Sequence, residues 1–113
     1  MAYNKDIEMR LKSIFDIYPS EIRNHIIDKK MFGGLAFLFH GKMTVGVIKN
    51  RLMVRVISDK MVETLKLDAV KPMDFTKRPM KEFIYVDEDG FKTQEQLLHW
   101  VELGLEHAKK KLN

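Results

Sequence analysis

The sequence predicts an α+β domain: an antiparallel sheet of about four to five strands with flanking helices. Three observations carry that reading. Apolar residues repeat with a helical period at both ends of the chain, the middle changes to short β-prone runs, and turn-forming residues separate those runs. The element order is α(α)βββαβα in one domain spanning residues 1–113, because a chain of 113 residues organises a single core.

The first helix is read from Ile7, Leu11, Ile14, Phe15 and Tyr18, which fall on one stripe, with Asn4 as its N-cap. Pro19 stops it, and Ser20 caps a short second helix running through Ile26 and Ile27. From Lys30 the period changes. Residues 31–39, 43–48 and 52–57 form a three-stranded meander, turning at His40-Gly41-Lys42 and Lys49-Asn50-Arg51, where Gly41 and Asn50 supply left-handed backbone. Leu52, Val54 and Val56 share one face of the third strand, and Met53, Arg55 and Ile57 share the other, so both faces are expected to be at least partly covered.

Ser58 is placed as the N-cap of a helix through Met61, Val62 and Leu65. Pro72 and Pro79 then bracket an irregular stretch. Phe83-Ile84-Tyr85-Val86 reads as a further strand, closed by the acidic turn Asp87-Glu88-Asp89-Gly90. Thr93 and Gln96 form a capping box for a terminal helix with the stripe Leu97, Leu98, Val101, Leu105, Ala108 and Leu112.

Composition excludes several classes. The chain has no cysteine, which removes disulfides, thiolate zinc sites and a cysteine nucleophile. Its N-terminus is charged where a signal peptide is apolar, and no apolar run approaches the roughly 20 residues of a membrane span, so a soluble cytoplasmic protein is expected. The net charge of +4 is unevenly spread. Residues 20–60 carry eight basic side chains against Glu21, Asp28 and Asp59, whereas residues 82–113 hold seven acids against four lysines. A basic middle can attract nucleic acid or an acidic partner, although most such surpluses are solvated faces.

Candidate chemistry is sparse. Gly41-Lys-Met-Thr-Val-Gly46 has two glycines at phosphate-loop spacing, but Val47 and Ile48 stand where Lys and Ser or Thr are needed. Asp87-Glu88-Asp89-Gly90 opens like a calcium loop, yet its glycine comes two residues early and the closing glutamate is missing. His25, His40, His99 and His107 form no i, i+4 pair, and nothing positions Ser13, Ser20 or Ser58 as a nucleophile. No cofactor, metal site or catalytic set is expected. Met31-Phe32-Gly33-Gly34 is the unusual feature, because paired glycines inside an apolar strand mark a bulge or a close backbone approach. A helix crossing the sheet closely is the favoured reading, and a partner's backbone packed there is the functional one.

The segments Lys30-Met-Phe-Gly-Gly-Leu-Ala-Phe37, His40-Gly-Lys-Met43 and Arg51-Leu-Met-Val-Arg-Val56 are followed by Lys71-Pro-Met-Asp-Phe-Thr-Lys-Arg-Pro-Met-Lys81 and Phe83-Ile-Tyr-Val-Asp87. In that order, and with their spacing to the helix around Trp100, they resemble the N-terminal domain of the TfoX/Sxy family in its compact, stand-alone form. The resemblance implies a curved antiparallel sheet with flanking helices, similar to the secretion-chaperone-like fold group. The family's named members are regulators of natural competence and carry a second, C-terminal domain related to helix-hairpin-helix modules. No such domain is expected here, so activities that depend on it are not carried over. The resemblance supplies no catalytic residues.

The expected function is therefore a small regulatory or adaptor domain that binds an unidentified protein and is linked by resemblance to transcription or competence regulation; no enzyme is predicted. Self-association into a homodimer is expected through Leu38, Ile48, Met53 and Ile57, if helices leave them uncovered. The alternative is weak, non-specific nucleic-acid binding through Lys42, Lys49, Arg51, Arg55, Arg78 and Lys81.

Overall fold

Helix α1 (Lys5–Asp16) begins where the sequence places it, because the Asn4 side chain accepts from the backbone N–H groups of Asp6 and Ile7. A computed structural model describes residues 3–73 and 81–112. The same Asn4 ties the helix to the sheet: its backbone N–H donates to the Lys49 carbonyl at 2.8 Å and its amide donates to Asn50 Oδ1 at 3.0 Å. Ile7, Leu11, Ile14 and Phe15 form the buried stripe.

After α2 (Ser20–Arg23) come β1 (Ile26–Met31), β2 (Gly34–Phe39), β3 (Lys42–Ile48) and β4 (Arg51–Arg55). Next are α3 (Ser58–Thr64), β5 (Val70–Pro72), β6 (Phe83–Val86), a single 3-10 turn (Glu88–Gly90) and α4 (Gln94–Leu112). One antiparallel sheet holds all six strands in the order β1-β2-β3-β4-β6-β5. The α+β class holds, and the strands beyond the expected number have identifiable sources.

The first is β1. Ile26 and Ile27, expected to continue the second helix, pair instead with Phe39 and Leu38 of β2. β-branched side chains favour the strand, and a partner of equal length is available. The second is β5, three residues ending at Pro72, just before the stretch between Pro72 and Pro79 expected to be irregular, of which residues 74–79 lie outside the described residues.

The expected first strand over residues 31–39 is also divided. Phe32 and Gly33 form a two-residue turn between β1 and β2, with φ of 56° and 79°. Such a turn needs left-handed backbone at both central positions, which explains Gly33. Gly34 answers a different demand: a Cβ there would lie 2.1 Å from the Val47 carbonyl oxygen. The close approach at Gly34 is therefore made by β3 of the same sheet and not by the crossing helix expected.

Two further expectations change in detail. At the β3–β4 turn the left-handed residue is Lys49 (φ 53°) and not Asn50, since Lys49 is held by the Asn4 contact and by a bridge to Tyr3. Ser58 does not cap α3. Ile57 occupies the cap position, and the Ser58 hydroxyl donates to the Glu82 carboxylate at 2.7 Å. The Thr93–Gln96 capping box forms as expected, with reciprocal bonds of 3.1 Å.

Helices α1 and α4 cover one face of the sheet, where Phe37, Val45, Val47, Leu52, Val54 and Val56 meet Leu11, Phe15, Trp100 and Val101. The opposite face carries a second cluster of Ala36, Leu38, Met43, Ile48, Met53, Met73, Phe83 and Tyr85, with Met31 and Phe32 packed against it. Both faces are thus buried. Leu38, Ile48, Met53 and Ile57, expected as a dimer surface, are each at most 9% exposed within the single chain. No helix among the described residues is long and apolar enough to cross a membrane.

Candidate functional site

The densest polar cluster gathers around Glu82, a non-glycine residue held at φ 63° just before β6. One carboxylate oxygen accepts from Ser58 at 2.7 Å. The other lies 3.1 Å from His107 Nε2, 3.5 Å from Arg55 Nη2 and 3.5 Å from Lys111 Nζ. Arg55 Nε also donates to the Glu82 carbonyl at 3.1 Å, while its guanidinium lies 4.0 Å from the centroid of the Phe83 ring. The Ser58 hydrogen bond, then His107, hold the Glu82 carboxyl down at about 2 against the opposing effect of burial.

His107 is 3% exposed, and burial pushes its pKa below the ordinary histidine value although the Glu82 hydrogen bond opposes this. Its Nε2 stands 3.0 Å from Arg55 Nη2 as well as 3.1 Å from Glu82, and its Nδ1 is buried without a partner. A neutral ring has one proton. Placed on Nε2, it is donated to Glu82; placed on Nδ1, it leaves Nε2 to accept from Arg55. A carboxylate offers about four acceptor sites, and among the described residues Ser58, Arg55, Lys111 and, with its proton on Nε2, His107 surround this one. The cluster therefore works as a clasp joining β4, the approach to β6, α3 and the end of α4, with little acceptor capacity left for a substrate.

A groove of about 550 Å³ opens elsewhere, between the α3–β5 connection and the start of α4. Its apolar lining is Leu67, Ala69, Val70 and Trp100, and Asp68, Asp87 and Asp89 stand at its rim. Trp100 is fixed by its indole N–H, which donates to the Gly90 carbonyl at 2.8 Å. Leu67 is 50% exposed whereas Trp100 and Val70 are nearly buried, so the apolar surface the groove presents to solvent is chiefly that of Leu67. Cations stand close to these acids: Lys92 lies 3.3 Å from Asp89, Lys71 donates to the Asp68 carbonyl, and Asp87 and Asp89 also line a neighbouring cleft with Lys49 and Arg51. Exposed pairs of that kind are worth little, so these carboxylates can exchange one cation for another.

The TfoX N-terminal domain family matches residues 21–108, from α2 into α4. The chain belongs to that family. No curated protein gives a significant match.

Among the described residues, this TfoX N-terminal domain does not gather the basic residues expected to meet nucleic acid into one patch. Lys42 and Lys49 flank opposite ends of β3, roughly 20 Å apart at strand rise. Lys49 and Arg51 line a cleft with Asp87, Glu88 and Asp89, and Arg51 lies 3.6 Å from the Tyr85 ring centroid. Arg55 is committed to Glu82, Lys81 is exposed in the turn before β6, and Arg78 lies outside the described residues. Met31 and Phe32 pack on the second apolar cluster, with the Phe32 and Phe83 rings edge to face at 5.8 Å.

Sequence reasoning missed Glu82 and His107 as a pair. A signal existed for one: Trp100, Leu103, Gly104 and His107 fall at i, i+3, i+4 and i+7, and all are buried. No local pattern marked Glu82, whose partners come from residues 24 to 29 positions away along the chain.

Proposed function

We propose that this TfoX N-terminal domain is a cytoplasmic regulatory or adaptor domain that acts by binding protein, within the competence- or transcription-linked setting its family suggests. The observation that carries the reading is the Trp100 groove, an apolar channel with an acidic rim on a chain whose net charge is positive. The partner segment it suits has an apolar side chain flanked by lysine or arginine: the apolar group enters between Leu67 and Trp100, and the cations meet Asp68, Asp87 and Asp89.

The test uses synthetic peptides with a central Leu or Phe between basic residues, against matched peptides with acidic flanks. Trp100 is the only tryptophan, so its indole N–H resonance reports binding at the groove without ambiguity. Basic-flanked peptides are expected to shift that resonance, and Asp87→Lys with Asp89→Lys to weaken binding about tenfold or more. Equal binding of both peptide classes, or binding that leaves the indole unmoved, overturns the reading.

A further inference from the structure

The sheet has two edges of different character. Strand β5 is three residues long and ends in Pro72, which has no N–H to offer; short length and proline are common protections for an edge. Strand β1 has six residues, and Ile27, Asp28, Lys29 and Lys30 are all exposed, Ile27 at 58%. A long open edge is a template for another strand.

The pairing of β1 with β2 fixes which groups face outward. His40 N–H donates to the His25 carbonyl at 3.2 Å, which makes His25 and His40 a hydrogen-bonded pair one step beyond Ile26 and Phe39. Antiparallel ladders alternate, so Ile27, Lys29 and Met31 turn their backbone groups toward β2. Ile26, Asp28 and Lys30 turn theirs to the open edge. Side-chain direction follows from the same register. Asp28 lies opposite Phe37 and Lys30 opposite Leu35, both on the helix-covered face, while Ile27 and Met31 lie on the other face opposite Leu38 and Gly34.

We infer that the β1 edge pairs with β1 of a second copy of this chain, antiparallel about a two-fold axis at Lys29, to give a continuous twelve-stranded sheet. The inference does not rest on the Trp100 groove. A two-fold axis perpendicular to the sheet keeps each face on its own side, so a residue can stand opposite only residues of its own parity. Centred on Lys29, this register puts Asp28 of each copy opposite Lys30 of the other, twice, on the helix face. It also puts Ile27 opposite Met31 twice on the second face. Asp28 and Lys30 carry the outward backbone groups, so each such pair exchanges two main-chain hydrogen bonds. Opposite charges and apolar pairs across a ladder are both favourable. The neighbouring registers lose this match: centring on Asp28 stacks two aspartates and sets Ile27 against Lys29, and centring on Ile27 sets Ile26 against Asp28. The one unfavourable contact is Lys29 against its own copy at the axis.

The experiment is sedimentation of four chains over a concentration series: wild type, Asp28→Lys, Lys30→Asp, and the charge-swapped double variant. The wild type is expected to move from 13.3 kDa toward twice that mass with rising concentration. Asp28→Lys alone and Lys30→Asp alone each create two like-charge pairs and are expected to stay at the monomer mass. An equimolar mixture of the two single variants restores both attractive pairs and is expected to dimerise, as is the double variant. A wild type that stays monomeric throughout overturns the inference. So does a dimer that survives either single reversal, or a mixture that fails to recover it, since association would then use another surface or register.

Discussion

Gly104 of α4 sits so close to Thr44 of β3 that a Cβ on it would lie 2.4 Å from the Thr44 carbonyl oxygen and 2.6 Å from its carbonyl carbon. Thr44 is the extra residue of a β-bulge, since Leu38 pairs with Met43 and Phe37 with Val45. Its hydroxyl donates to the Phe37 carbonyl at 2.8 Å, which ties the bulge to β2. The helix thus rests on backbone that has no flexible side chain to move aside. Gly104→Ala is expected to destabilise the fold by about 1–3 kcal/mol, because the overpacking cost exceeds the roughly 1 kcal/mol gained in helix propensity. Urea unfolding measures it, and a variant as stable as the wild type would show that α4 can lift from the bulge freely.

The Glu82 clasp makes stability depend on acidity in two windows of the same sign. Glu82 is held at about 2 when folded, below its ordinary 4.5, so its contribution is present above about pH 4.5 and is lost as pH falls toward 2. His107 is also lowered in the fold. The unfolded chain therefore takes up the proton more readily, and stability begins to fall as pH drops through the ordinary value of 6.5. Thermal unfolding followed from pH 8 downward is expected to show both declines. Glu82→Gln should flatten the lower one, and His107→Leu the upper one. A wild-type midpoint that does not move between about pH 7 and 5 would contradict the buried, neutral imidazole.

The legible parts of the fold were those whose cause lies within a few residues. Asn4 caps α1 through its own near neighbours, Thr93 and Gln96 satisfy one another, and the alternation in β4 predicts its two buried faces. The misread parts were settled by distant partners. Ile26 and Ile27 suit a helix end or a strand equally until Phe39 and Leu38 are beside them. The paired glycines looked like one feature and are two, a left-handed turn at Gly33 and a close approach to Val47 at Gly34. The basic residues were readable as types but not as a surface, because Glu82 and the acidic turn at residues 87–89 meet Arg55 and Arg51 only after folding.

That distribution predicts how the chain behaves toward duplex DNA. Phosphate contacts release counterions, and each lowers the slope of log affinity against log salt by about 0.9. Of the basic residues expected to act together, Arg55 is half-buried beneath Glu82, Lys49 and Arg51 share a cleft with three acids, and Lys42 stands at the far end of β3. A rigid duplex surface reaches few of these at once. A titration at 50 mM and 200 mM salt is expected to give a slope equivalent to about two phosphate contacts or fewer. Arg51→Ala with Arg55→Ala is expected to change affinity less than about threefold, with any loss of stability tracked separately, because that substitution also removes a member of the Glu82 clasp. A slope of about four contacts or more that collapses in the double variant would mean that the acids yield to phosphate. The basic middle of the chain would then be a nucleic-acid surface after all.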